Sequence, residues 1–164
     1  MALDVKNTEA IAIGAIKYSY LMSDREKDIV FDWDKALNFE GHSGPYIQYS
    51  YVRAKNILEK SGWKAGIALS EAPALGQYDR QLISMLAKKE EAIDSMLAGY
   101  KPHHLAIYAY DLATTFSSFY VHTPKLLDEP DADLKNIRLE MVERTLRTIE
   151  EVFDILAIPL PERM

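Results

Sequence analysis

Apolar positions recur every three or four residues along nearly the whole chain, the spacing of helices that bury one face. The first predicted helix runs from about Asn7 to Leu21, with Thr8 as its cap and Glu9 in the first turn, where the helix dipole favours an anion. Its run Ala10-Ile11-Ala12-Ile13-Gly14-Ala15-Ile16 is small and apolar, so the helix is expected to bury most of its circumference. The polar stretch Ser23 to Asp28 ends it. Ile29-Val30-Phe31 is a β-prone triplet too short to define a sheet, and Asp32 to Leu37 reads as a short helical turn. Gly41-His42-Ser43-Gly44-Pro45 is a clear break. Pro45 then falls in the first turn of a second helix, where its missing N–H costs nothing. That helix reaches about Lys60, with Gly62 as its stop. A loop with Gly66, Pro73 and Gly76 leads to helical patterns from Gln77 to Leu86 and from Glu90 to Leu97, the second ended by Gly99. Pro102 starts another, with Leu105, Tyr108, Leu112, Phe116 and Phe119 on one stripe, and Pro124 closes it. Pro130 opens the last long helix, whose apolar face includes Leu134, Ile137, Met141, Val142, Ile149 and Phe153. On its other face Glu140/Arg144 and Glu143/Arg147 form i,i+4 pairs worth about 0.2–0.5 kcal/mol each, a solvated charged surface. Ile158-Pro159-Leu160-Pro161 makes the remaining segment extended. The pattern predicts an all-α fold: a helical bundle preceded by a helix and a short strand-like turn.

Composition narrows the function classes. The 164 residues make about one domain, and a 48% hydrophobic content is enough to bury a core. Lys plus Arg is 19 against 25 Asp plus Glu, so the net charge is −6. That balance argues against a generic polybasic nucleic-acid or membrane binder, while leaving room for a local basic face. The absence of cysteine removes disulfides, thiol nucleophiles and thiolate metal sites. Met1 to Lys6 has no positive stretch followed by an apolar core, so no signal peptide is expected. No uncharged apolar run approaches the roughly 18 residues of a membrane span. The expected compartment is the cytoplasm, with no membrane partner.

The helix after Pro45 carries the chemistry. One ridge, Ile47, Tyr51, Ala54 and Leu58, reads as the core face. The neighbouring ridge aligns Tyr46, Tyr49, Arg53, Asn56 and Lys60. Aromatic faces stack on bases, cations meet phosphates and an amide can read a base edge. On spacing alone the commoner arrangement is a pair of tyrosines packed on a neighbouring helix with their hydroxyls at the surface, and the nucleic-acid reading needs support from outside the pattern. Among the remaining tyrosines, Tyr108 belongs to the apolar stripe, whereas Tyr120, at a helix end beside His122, is freer to contact a ligand. His103 and His104 are adjacent and point about 100° apart, so they cannot share a metal as an i,i+4 pair could. His42 lies in a glycine loop within reach of a ligand. Ser43 and Ser70 have no visible base partner, and Glu90/Glu91 read as a solvated helix start. No G-x-S-x-G, Walker or G-x-G-x-x-G motif is present, so nothing supports catalysis by this chain alone.

In order along the chain, Gly14-Ala15-Ile16-Lys17-Tyr18, Val30 to Gly41 and Ser43-Gly44-Pro45-Tyr46-Ile47-Gln48-Tyr49 with Arg53 resemble the C-terminal part of arginyl-tRNA synthetases. The resemblance continues through Tyr110-Asp111-Leu112-Ala113, Phe116 to Tyr120, Arg138-Leu139 and Ile158 to Met164. It implies a class I synthetase anticodon-binding bundle of the DALR type over residues 42–164, preceded by a connector, residues 1–41, from a catalytic domain. No H-I-G-H-type or K-M-S-K-S-type signature occurs, so the resemblance implies a parent arginine–tRNA ligase whose catalytic domain lies outside this chain. ATP and magnesium are then expected for the full-length enzyme and no cofactor here. The implied partners are arginine tRNA, through its anticodon loop, and the chain's own catalytic domain. The resemblance assigns the loop contacts to Tyr46, Tyr49, Arg53, Tyr120 and Met164. Because all arginine codons share a middle G, all arginine anticodons share a central C that such a site could capture. The family often has Asn-Thr before Gly-Pro-Tyr, whereas His42-Ser43 stands here; Ser43 can still cap the helix. The stretch from Trp63 to Leu86 matches least. The rival reading is a helical protein–protein interaction module whose aromatic ridge docks a partner helix. A basic groove beside Tyr46 and Tyr49 would favour RNA, and a dry apolar one a protein.

Overall fold

A computed structural model describes residues 5–64, 66, 72–123 and 126–164. Ser70, Pro124 and most of Met1 to Lys6 lie outside the described residues. The described residues form α1 (Val5–Leu21), α2 (Trp33–Ala36), α3 (Gly44–Ser61), α4 (Gln77–Leu86), α5 (Lys89–Gly99), α6 (His103–His122) and α7 (Ala132–Ile155), with a 3-10 turn at Leu126–Asp128. No strand occurs among them. Ile29-Val30-Phe31 runs without a partner strand, and its Phe31 ring is held by Tyr20 (centroids 5.7 Å apart, stacked) and Trp33 (4.8 Å, edge-on).

Helix α6 is the axis of the bundle and packs against α3, α4, α5 and α7. Its buried stripe, Leu105, Leu112, Phe116 and Phe119, meets Ile47 and Tyr51 of α3, Leu82 of α4 and Val142, Ile149 and Phe153 of α7 in one core. The ridge Ile47, Tyr51, Ala54 faces inward as the periodicity requires, with Leu58 half-buried beside it. Tyr108 is core as well, and burial pushes its hydroxyl up to about 12. Glu140–Arg144 (2.8 Å) and Glu143–Arg147 (3.9 Å) pair across the outer face of α7. Glu143 also accepts the indole N–H of Trp63 at 2.9 Å, which ties the chain beyond α3 to α7.

Three local expectations are corrected. Helix α1 is already under way at Val5, so Thr8 lies inside it and is not its cap. It buries one stripe, Asn7, Gly14, Ala15 and Tyr18, while Ile16 and Tyr20 are exposed, because α1 packs on α2, α3, α6 and the C-terminal segment from one side of the bundle. Helix α5 ends in a left-handed residue, but that residue is Tyr100 (φ 51°), after Gly99, and Lys101 N–H closes the turn on Met96 O at 2.9 Å.

A partly buried ion-pair cluster joins α4 to α7. Arg138 donates from Nε to Asp79 Oδ1 at 3.0 Å, from Nη2 to Asp79 Oδ2 at 3.2 Å and from Nη1 to Glu129 Oε2 at 2.6 Å. Asp79 is buried and also accepts the Gly76 N–H at 2.7 Å, which starts α4. The Asp79–Arg138 fork uses the planar geometry that arginine has and lysine lacks. Arg138→Met leaves the Asp79 carboxylate buried without its cation, and about 3–5 kcal/mol of stability should be lost in urea unfolding.

Candidate functional site

The amino end of α3 is built before its ridge can present anything. Ser43 Oγ accepts the Tyr46 N–H at 3.2 Å and caps the helix, and its hydroxyl donates to Asn38 O. Pro45 follows in the first turn. Gly44 lies against α1 so closely that a Cβ there would come within 2.4 Å of Gly14 O. This contact fixes the rotation of α3 about its own axis, and with it the direction of the ridge Tyr46, Tyr49, Arg53, Asn56 and Lys60.

The last turns of α6 face that ridge. The Arg53 guanidinium carbon stands 4.6 Å from the Tyr49 ring centroid and 4.9 Å from that of Tyr120, so the cation lies against both rings. Arg53 Nη2 donates to Tyr49 Oη at 2.9 Å and Nη1 to Ser117 Oγ at 3.3 Å. Tyr49 and Tyr120 keep about two-fifths of their surface exposed (41% and 42%). Two grooves flank this cluster. One, of about 670 Å³, is lined by Asn56, Lys60, Tyr120, Val121 and Asp128. The other, of about 710 Å³, is lined by Ile11, Phe39, Glu40, Tyr46 and Ser117. Tyr49, Arg53 and Met164 line both.

All five residues assigned from the sequence therefore meet in one region, although Met164 is 111 positions from Arg53 in the chain (164 − 53). They differ in state. Tyr46 is half-buried, with its ring 5.6 Å from Tyr110, which in turn stacks on His42 at 3.4 Å. His42 thus braces a tyrosine of the ridge through Tyr110. His122 points elsewhere, stacking on Tyr78 at 4.2 Å, with Nδ1 2.9 Å from Ser118 O. His103 and His104 pack against each other at 4.2 Å, far down the chain at the other end of α6, and burial of His103 lowers its pKa. No group of side chains able to hold a metal ion occurs among the described residues.

Sequence reasoning missed Ser117 and Asp128. Ser117 stands one helical turn before Tyr120 on the same face, a spacing that could have marked it. Asp128 reaches the groove through the 3-10 turn anchored by buried Leu126, and no periodicity announces that. Among the described side chains of this groove, Arg53 and Lys60 are the cations and Asp128 the carboxylate, beside the part-exposed Tyr49 and Tyr120.

These residues sit in a chain with clear relatives. The model of the DALR anticodon binding domain family matches residues 47–164. The arginine–tRNA ligase of Sodalis glossinidius is 39% identical over 156 residues, covering 95% of this chain and 27% of that protein. The Thermus thermophilus arginyl-tRNA synthetase structure superposes with a TM-score of 0.87 at 36% identity, covering 97% of this chain and 27% of that one. The Plasmodium falciparum arginyl-tRNA synthetase gives 0.86 at 29% identity, covering 99% and 29%. The chain spans a little over a quarter of the length of these proteins.

Because the Arg53 cation–π contacts are partly solvated, Arg53→Met should cost about 1 kcal/mol of stability or less in urea unfolding. The variant then separates the side chain's part in ligand binding from its part in the fold.

Proposed function

The chain belongs to the DALR anticodon-binding domain family, and from that premise we propose that it recognises the anticodon loop of arginine tRNA on behalf of an arginine–tRNA ligase catalytic domain. Residues 1–41 would be the connector to that domain, and the parent enzyme would use ATP and magnesium there. The observation that carries the reading is the convergence of Tyr49, Arg53, Tyr120 and Met164 on one groove.

The chemistry of the groove supports an unstacked nucleotide. A base leaving the loop stack can lie on the exposed face of Tyr49 or Tyr120, and each such stack is worth about 1–3 kcal/mol. Arg53 has committed one N–H from each of Nη1 and Nη2, so further N–H donors remain for a phosphate. Asn56 can hydrogen-bond a base edge, and Lys60 adds a second cation along the backbone path. The polarizable Met164 side chain adapts to the remaining gap. A protein-docking groove would need a dry apolar lining; Arg53, Asn56 and Lys60 favour a polyanion in the groove that Tyr120 lines and outweigh Asp128 there, whereas the groove on the Tyr46 side, with Ile11, Phe39 and Glu40, is more apolar.

The test is binding of the chain to arginine tRNA beside the same tRNA with its central anticodon C replaced. Preference for the native loop supports the proposal; equal binding, or none to either, overturns it for this chain. Removal of Met164 should weaken binding without lowering the unfolding midpoint, and unchanged affinity takes Met164 out of the site. Arg53→Ala should reduce the slope of log affinity against log salt by about 1, as expected for one lost phosphate contact. An unchanged slope would leave Arg53 with its intramolecular partners only.

A further inference from the structure

We propose that Gln48 is a positioning residue: its side-chain amide latches residues 157–164 to the α1/α3 crossing and so fixes where Met164 stands in the groove. Gln48 has no exposed surface, yet it lies at the point where α1 and α3 touch. Its Nε2 donates to Ala10 O of α1 at 3.0 Å and to Pro159 O of the C-terminal segment at 2.7 Å. A Cβ added at Gly14 would fall within 2.3 Å of that same nitrogen, so the glycine makes room for the amide.

The amide is not there for packing. Its Oε1 is buried with no hydrogen-bond partner among the described residues, a state that costs stability. A leucine or methionine of similar volume would fill the space without a half-satisfied polar group. What the amide supplies, and an aliphatic chain cannot, is one nitrogen bonded at once to a helix and to a segment 111 positions away (159 − 48). Gln48 also precedes Tyr49 directly. The same turn of α3 therefore turns one side chain inward to hold the segment and the next outward to line the groove that the segment reaches.

The path from Pro159 to Met164 is short and has little slack. Ala157 takes the left-handed conformation (φ 54°) that turns the chain back after α7, and Ile158 N–H closes on Phe153 O at 2.8 Å. Pro159 and Pro161 then restrict the backbone. Contacts downstream of the latch include Glu162 N–H to Asn7 Oδ1 at 2.7 Å, Lys6 Nζ to Glu162 Oε1 at 3.0 Å and Lys55 Nζ to Glu162 O at 3.5 Å. The ion pair is exposed and contributes little. The first two come from the first turn of α1; Lys55 lies on α3 as Gln48 does, but its bond is exposed and long, so Gln48 supplies the buried bond from the helix that carries the site.

The experiment uses the full chain with 13C-labelled methionine methyl groups and is independent of RNA; the Met164 signal is assigned from the chain lacking that residue. In the parent chain the Met164 methyl should carry a ring-current shift from the tyrosines of the groove. In Gln48→Leu it should move to the position of a flexible, exposed methionine while the other methionine signals stay. Gln48→Met replaces it if the leucine variant does not fold. An unmoved Met164 methyl overturns the proposal. The second arm rests on the anticodon-loop reading: Gln48→Leu should lower tRNA affinity by the same factor as removal of Met164, and the double variant by no more than either alone. A further loss in the double variant overturns the latch as the route of action. A lost methyl shift with unchanged affinity supports the latch and overturns Met164 as an RNA contact.

Discussion

The contact on which the rest of the site depends is the crossing of α1 and α3 through two glycines. Gly14 and Gly44 let the two backbones touch, so closely that a Cβ at Gly44 would lie 2.4 Å from Gly14 O. Helices that pack through larger side chains stand about 8–10 Å apart. Here the close approach leaves space for one polar side chain, Gln48, to reach both Ala10 O and Pro159 O. Three parts of the chain that are distant in sequence are thereby brought to the same end of α3. The aromatic ridge, the end of α6 and the C-terminal segment meet there because that crossing sets the rotation of α3.

Charge is organised so that an acidic chain can still present cations locally. Many of its basic residues are occupied by carboxylates: Arg138 by Asp79 and Glu129, Lys101 by Asp24 at 3.1 Å, Lys89 by Glu151 at 2.8 Å, and Arg144 by Glu140. Asp24 is held below the usual carboxylate range by the Glu26 N–H and by Lys101. Arg53 is held differently. Its partners are two rings and two hydroxyls, which orient the guanidinium without cancelling its charge. In a chain of net charge −6, such a site is a local exception to the overall acidic balance.

The tyrosines of the ridge divide the work between support and contact. Tyr46 is braced by Tyr110, itself stacked on His42, and supplies a wall. Tyr49 and Tyr120 flank the cation and stay part-exposed. Tyr51, on the inner ridge, donates its hydroxyl to Glu150 at 3.1 Å and is pushed up to about 12 by burial and by that carboxylate. Residues on helices rather than loops hold most of this arrangement, which limits the ordering cost of binding.

The sequence by itself determined the helical order, the break at Gly41 to Pro45, the inward ridge of α3 and the stripe of α6. Those are local or periodic properties, and each follows from which side of a helix is apolar. It also determined the ridge Tyr46, Tyr49, Arg53, because residues three and four apart share a face whatever surrounds them. Only the tertiary structure decided that Tyr120 and Met164 stand beside that ridge, and that Tyr46 is braced while Tyr49 is exposed. It alone made Ser117 the partner of Arg53, brought Asp128 to the groove and turned His122 away to Tyr78. It also set how much of α1 is buried, since a run of small apolar residues specifies that a helix can pack but not how many neighbours it has. Gln48 shows the boundary most plainly. In the sequence it is one polar residue between two tyrosines; its two carbonyl partners, 38 residues before and 111 after, exist only once the chain is folded.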